Sequence, residues 1–264
     1  MLSEKIILAT WKMQLSISES INLAKKIKEK LKNHKLEEID VALCPDFLAI
    51  PAVSEIIQNT NIDLGSQNVF WETKGAYTGE ISIKNLKHFG VKFVIIGHSE
   101  RRQNLLESDR MINQKIKTVI NEGLIPVLCV GENLEQKNNN QKDIVIMKQV
   151  RSALTDIDIN NISELIIAYE PIWSISTTKI KQEIETSEIE YTNQLIKQIV
   201  MDTLSPQKNI SSSEFKNKIK LIFGGSVNSS NIVNLMRQNH VQGVLVGGAS
   251  LDAEEFTNLI NNTL

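Results

Sequence analysis

Three residues able to do proton chemistry each follow a short apolar run. Lys12 comes just after Ile6–Ala9, His98 just after Val91–Ile96, and Glu170 directly after Leu165–Tyr169. A carboxylate, an imidazole and an ammonium are the groups that take a proton from carbon and hold the charge that then develops on oxygen. Singly, each has a plainer reading: a solvated lysine, a histidine satisfying backbone groups, a glutamate ending a strand before Pro171. Two glycine pairs follow two further runs, Gly224-Gly225 after Leu221–Phe223 and Gly247-Gly248 after Val244–Val246. One such pair reads as a turn needing φ > 0. Two in succession read as bare N–H groups cradling a phosphate. A cation, an imidazole, a carboxylate and a phosphate cradle brought onto one rim make an active site.

The elements that must bring them together recur along the whole chain. Strand-like runs occupy Ile6–Ala9, Val41–Cys44, Ile62–Leu64, Val91–Ile96, Leu124–Val130, Leu165–Tyr169, Leu221–Phe223 and Val244–Val246. They are continuous rather than alternating, as parallel strands covered on both faces require. Helical spacing appears between them, for example over Ile21–Leu31 and Met111–Ile120, with Asp109 and Ser187 as expected N-caps and Gly123 as an expected C-terminal stop. Eight strand–helix units predict an α/β fold, a single (β/α)8 barrel spanning residues 1–264, with a doubly wound open sheet as the structural alternative. In a barrel, every cluster just described emerges on the C-terminal rim. Glu135–Lys142 and Ser205–Lys218 read as surface loops or frayed helix ends.

Composition excludes several other classes. The 264 residues are 41% hydrophobic and 23% charged, which fits a globular chain and not a disordered one. Lys and Arg number 29 against 31 Asp and Glu, so no basic excess points to nucleic acid or an anionic membrane surface. Two cysteines, Cys44 and Cys129, are too few for a disulfide scaffold. No apolar run approaches a membrane span or a signal-peptide core, and the expected location is the cytoplasm. Glycine is scarce, twelve in 264 against a usual share of ~7%, so the placement of each matters.

The motifs Trp11-Lys12-Met13, Gln67-Asn68, Gly75–Ser82, Gly97–Arg102, Cys129–Glu132, Tyr169–Trp173, Gly224–Val227 and Val246–Leu251 stand in an order and spacing that resemble the triosephosphate isomerase family over nearly the whole chain. The roles that follow are supplied by that resemblance and its known mechanism. It implies an isomerase of dihydroxyacetone phosphate and D-glyceraldehyde 3-phosphate. Glu170 is the base, His98 a neutral electrophile and proton shuttle, and Lys12 a stabiliser of the enediolate. Glu100 supports the site from behind, and Ser176, Ser226, Gly247 and Gly248 offer backbone N–H groups to the phosphate. It implies no metal and no organic cofactor. It also implies a homodimer in which loop 68–80 enters the neighbouring subunit and Thr78 reaches the partner's site.

Departures from the family pattern gather at the same place. Thr10 stands where the family has asparagine, with fewer donors on a shorter side chain. The family's Trp-Ala-Ile-Gly-Thr-Gly lid is Trp173-Ser174-Ile175-Ser176-Thr177-Thr178 here, and the tyrosine before Gly-Gly is Phe223. These differences leave two alternatives standing: an isomerase of a longer ketose phosphate such as a tetrulose phosphate, and a barrel that binds a phosphorylated ligand without turning it over.

Overall fold

The computed structural model describes residues 2–34, 36–175, 184–204 and 212–264. Eight strands run in chain order: β1 (Lys5–Thr10), β2 (Ile39–Cys44), β3 (Ile62–Ser66), β4 (Val91–Ile96), β5 (Ile125–Val130), β6 (Leu165–Tyr169), β7 (Ile219–Phe223) and β8 (Gly243–Val246). Every neighbouring pair is parallel, and β1 pairs with β8, so the sheet closes into a barrel. The closure rules out the open-sheet alternative.

Helices fill the intervals. They are α1 (Ile17–Leu31), α2 (Ile50–Ile57), α3 (Ile83–His88), α4 (Ser99–Asn104), α5 (Asp109–Asn121), α6 (Leu134–Asn138), α7 (Lys142–Leu154), α8 (Thr186–Leu204), α9 (Ser212–Lys218), α10 (Ile232–Met236) and α11 (Ala253–Asn261). None is long and apolar enough to cross a membrane among the described residues.

The absence of alternation in the strands has a direct cause. Ile6, Leu8, Phe93, Ile95, Val127, Cys129, Ile166, Ala168, Ile222 and Leu245 fill the barrel interior. Their neighbours Ile7, Ala9, Val94, Ile96, Leu128, Ile167 and Leu221 pack outward against the helices. Both faces of each strand are therefore apolar.

Helix boundaries follow local chemistry more than the sequence reading expected. Ser108, not Asp109, caps α5, its hydroxyl accepting from the N–H of Met111 at 3.3 Å, and Asp109 occupies the first turn. Ser187 lies inside α8, which begins at Thr186. Gly123 does stop α5, with φ +75°, its N–H donating to Ile120 and that of Leu124 to Val119. These are the two hydrogen bonds of a Schellman turn. The stretch Glu135–Lys142 is mostly helical, because Asn133 and Gln136 form a reciprocal capping box that starts α6.

Candidate active site

The C-terminal rim gathers Thr10, Lys12, His98, Glu100 and Glu170. Lys12 follows β1 with φ +54°, a left-handed conformation that costs a non-glycine residue about 1–2 kcal/mol. Its surroundings over-determine it. Gln67, from the end of β3, donates its side-chain N–H groups to the carbonyl of Lys12 at 2.9 Å and to that of Cys44 at 3.0 Å. Cys44 accepts in turn from the N–H of Trp11 at 3.2 Å. The ammonium is then aimed at Glu100, Nζ to Oε1 at 2.6 Å. Gly247 borders the same ammonium: a Cβ there would lie 3.5 Å from Lys12 Cε. Thr10 is buried beside Lys12 at the end of β1.

His98 is the N-cap of α4, and its Nδ1 accepts from the N–H of Glu100 at 3.3 Å. An accepting Nδ1 puts the proton of the imidazole on Nε2. Nε2 faces Glu170 Oε1 at 3.3 Å, while Glu170 Oε2 accepts from the N–H of Ser99 at 3.3 Å. Both His98 and Glu170 are buried, so their interaction is little screened by water.

Glycines make room for Glu170. A Cβ on Gly131 would sit 1.9 Å from the Glu170 carbonyl oxygen, and one on Gly224 would sit 2.7 Å from Glu170 Cγ. On Gly225 it would strike the Phe223 ring at 2.3 Å and Ser174 Oγ at 2.9 Å. None of these, nor Gly247 or Gly248, has positive φ. The pairs after β7 and β8 are therefore not left-handed turns. At Gly224 and Gly225 it is the absent side chain that matters.

Several supporting groups went unassigned in the sequence. Beneath Glu170, Glu132 is fully buried; it accepts from Trp173 Nε1 at 2.6 Å and from the Tyr169 hydroxyl at 3.3 Å. Burial pushes its pKa above the usual carboxylate range, opposed by the Trp173 hydrogen bond. The Cys129 thiol, also raised by burial and then by the charge of Glu170, lies under the same carboxylate. Arg102 ties the turn after β4 in place, donating to the carbonyls of Gly97 at 2.7 Å and Cys129 at 3.3 Å and pairing with Asp109 at 2.7 Å. A second, fully buried ion pair joins Lys115 to Glu107 at 3.0 Å, and Lys115 also donates to Asn68 Oδ1 at 2.8 Å. Burial lowers the Lys115 pKa, with Glu107 pulling the other way. The motif Gln67-Asn68 was the visible signal for these contacts; their partners, far away in the chain, were not.

Of the expected phosphate contacts, Ser226 follows Gly225 on the rim with its carbonyl accepting from Asn231 at 3.0 Å, and Gly248 opens a short 3-10 turn to Leu251. Ser176 and Thr178 lie outside the described residues. Ser174 and Phe223 are described and buried. Among the described residues no group of three His, Cys, Asp or Glu side chains could hold a metal ion.

Fold and site define a (β/α)8 barrel carrying a carboxylate, an imidazole and an ammonium together at the C-terminal ends of its strands. The family model for triosephosphate isomerase matches residues 5–263. The chain is 40% identical over 258 residues to the triosephosphate isomerase of Dictyoglomus thermophilum, covering 98% of this chain and 99% of that one. It is 41% identical to that of Thermoanaerobacter pseudethanolicus, covering 97% and 98%. The crystal structure of triosephosphate isomerase from Bartonella henselae superposes with a TM-score of 0.82 at 31% identity, covering 98% and 99%. The chain belongs to the triosephosphate isomerase family.

Proposed function

We propose that the protein interconverts dihydroxyacetone phosphate and D-glyceraldehyde 3-phosphate. The observation that carries this reading is the placement of Glu170 against His98 at 3.3 Å and of Lys12 against Glu100, itself 3.7 Å from His98, at the ends of three strands on one rim. Glu170 takes a proton from C1 of the ketose while the C2 carbonyl draws electron density toward the Nε2–H of His98 and the ammonium of Lys12. The enediolate that results is the charged species Lys12 offsets. His98 hands its proton to O2 and recovers one from O1. Glu170 then returns its proton to C2, leaving the aldehyde at C1. No electrons leave the substrate and no atom is gained. Ser226, Gly247, Gly248 and Ser176 are the proposed phosphate contacts, and Thr10 and Glu100 flank the reacting end.

A homodimer acting in the cytoplasm completes the proposal. Its support is a prebuilt arm. Phe70 stacks against Trp71 and Tyr77 at 4.0 and 4.7 Å, Ser82 Oγ donates to the Thr73 carbonyl, and Lys115 holds Asn68, while residues 74–80 stand exposed. Facing the site is a cavity of about 440 Å³ lined by Lys12, Met13, Phe47, His98 and Leu105. Met13 is 93% exposed and Leu105 61%. Exposed apolar side chains at the mouth of the site support a contact there, and Thr78 on a partner's arm is the proposed occupant.

The deciding experiment compares kcat/KM for dihydroxyacetone phosphate, glyceraldehyde 3-phosphate and erythrulose phosphates on one preparation. Highest turnover on the trioses supports the proposal. Preference for a tetrulose phosphate overturns it, as does phosphate-dependent stabilisation without turnover of any of them. Light scattering that returns 29.7 kDa rather than twice that mass removes the dimer.

A further inference from the structure

Lys137 sits at a junction that the chemistry above does not use. It lies in α6, and its Nζ is 3.1 Å from the centroid of the Trp173 ring. The same ammonium is 3.9 Å from Glu188 Oε2, in the first turn of α8. Lys142 reinforces that carboxylate from 3.4 Å. Trp173 comes three residues after Glu170, and Glu188 comes two residues into α8. One cation therefore touches the chain on both sides of residues 176–183.

The indole beneath Lys137 is fixed on its other polar side. Its Nε1 donates to Glu132 at 2.6 Å, and the backbone on the way to Glu170 is tied at each step. The N–H of Glu170 donates to Val130 at 2.8 Å, that of Ile172 to Glu132 at 3.0 Å, and that of Ser174 to Pro171 at 2.9 Å. Ser174 Oγ donates to the same Pro171 carbonyl at 3.0 Å. An ammonium over an indole face is attracted by the ring quadrupole, most strongly where water is thinned, and Trp173 is only 3% exposed.

We infer that Lys137 is a positioning residue: by holding the Trp173 face while paired to Glu188, it sets the turn that carries Glu170 to its working place against His98. The start of the helix does not depend on its side chain. α6 is capped by Asn133 and Gln136, and Lys137 is on its last turn. The inference rests on Glu170 being the base of the proposed isomerase.

The test compares K137M, which keeps the stem and loses the cation, with K137R, which keeps a cation that stacks on indole. K137M is expected to lower kcat about tenfold with KM within about twofold, since a small displacement of a reacting group costs rate rather than affinity. K137R is expected to stay within about twofold of the parent in both constants. Acrylamide quenching of tryptophan fluorescence adds a readout independent of turnover. The other two tryptophans, Trp11 buried after β1 and Trp71 in the segment after β3, give the same quenching in all three proteins, so increased quenching in K137M that K137R restores reports on the freed Trp173 indole. Unchanged quenching in K137M overturns the inference, as does an arginine variant as slow as the methionine one. A parent protein with no isomerase turnover would sink the proposed function instead, and the quenching comparison would then decide whether Lys137 holds Trp173.

Discussion

His98 Nε2 and Glu170 Oε1 stand 3.3 Å apart although they leave strands that do not pair: β5 lies between β4 and β6. The pair is thus a product of barrel curvature and of the length of both side chains. Removing one methylene from the acid retracts its carboxylate by roughly 1.5 Å from a partner set by a different strand. Glu170→Asp is therefore expected to lower kcat about a hundredfold or more, because misplacement on that scale disrupts proton transfer. His98→Gln is expected to lose about 10²–10⁴ in kcat, the usual range for a lost acid–base group. Thermal melts of both variants should stay close to the parent. Turnover equal to the parent in either variant would remove these residues from the chemistry.

Gly224 supplies a second test, made without touching any ionisable group. A methyl there would come 2.7 Å from Glu170 Cγ, too close for both to keep their places. The backbone has ordinary φ, so alanine itself is not strained. Gly224→Ala is expected to push the Glu170 side chain aside and reduce kcat by about 10- to 100-fold, with only a small stability change. Steady-state kinetics beside a melting curve checks it: a fully active variant would show that Glu170 does not work from where the structure puts it.

Much of this arrangement is legible in the residues themselves. Strand positions such as Phe93-Val94-Ile95-Ile96 announce two buried faces, and the polar residues that follow them, His98 and Glu170 among them, must then share a rim. Other contacts were invisible for physical reasons. The left-handed Lys12 is held by Gln67, whose side chain acts across 55 residues of sequence. The roles of Gly131 and Gly224 come from what a side chain would strike, and that depends on strand register rather than on local turn chemistry. Asp109 looked like a helix cap because Asp and Ser both suit that position; Ser108 takes it, since its hydroxyl reaches Met111. The lid substitutions at Ser176 and Thr178 fall outside the described residues.

The two thiols give a prediction about inertness. Cys44 is fully buried, and burial alone pushes its pKa up to about 12. Its sulfur fills the space a side chain on Gly65 would need, 2.3 Å from that Cβ position. Cys129 is buried and raised as well, with Glu170 adding to the effect. Since the thiolate is the reactive form, neither cysteine should be alkylated by iodoacetamide near pH 8 in the folded protein, and both should react in denaturant. Modification of Cys129 in the native state, detected by mass spectrometry, would show that the floor beneath Glu170 opens to solvent.

Glu132 links the site to pH through stability. Its folded-state pKa is raised above 4.5, chiefly by burial, so the folded protein holds that proton to higher pH than the unfolded chain does. The sign follows: the contribution of Glu132 to stability is complete below pH 4.5 and is lost as pH rises through the raised folded value. Glu132→Gln has the same shape, keeps an oxygen for Trp173 Nε1 and carries no charge. Its melting temperature relative to the parent should therefore climb as pH rises from the acid side of 4.5 toward neutrality. A gap between the two proteins that stays constant over this range, or moves the other way, would mean that the nearby ammonium of Lys142 and the Trp173 hydrogen bond outweigh burial. In that case the buried carboxylate would itself be a source of stability at neutral pH.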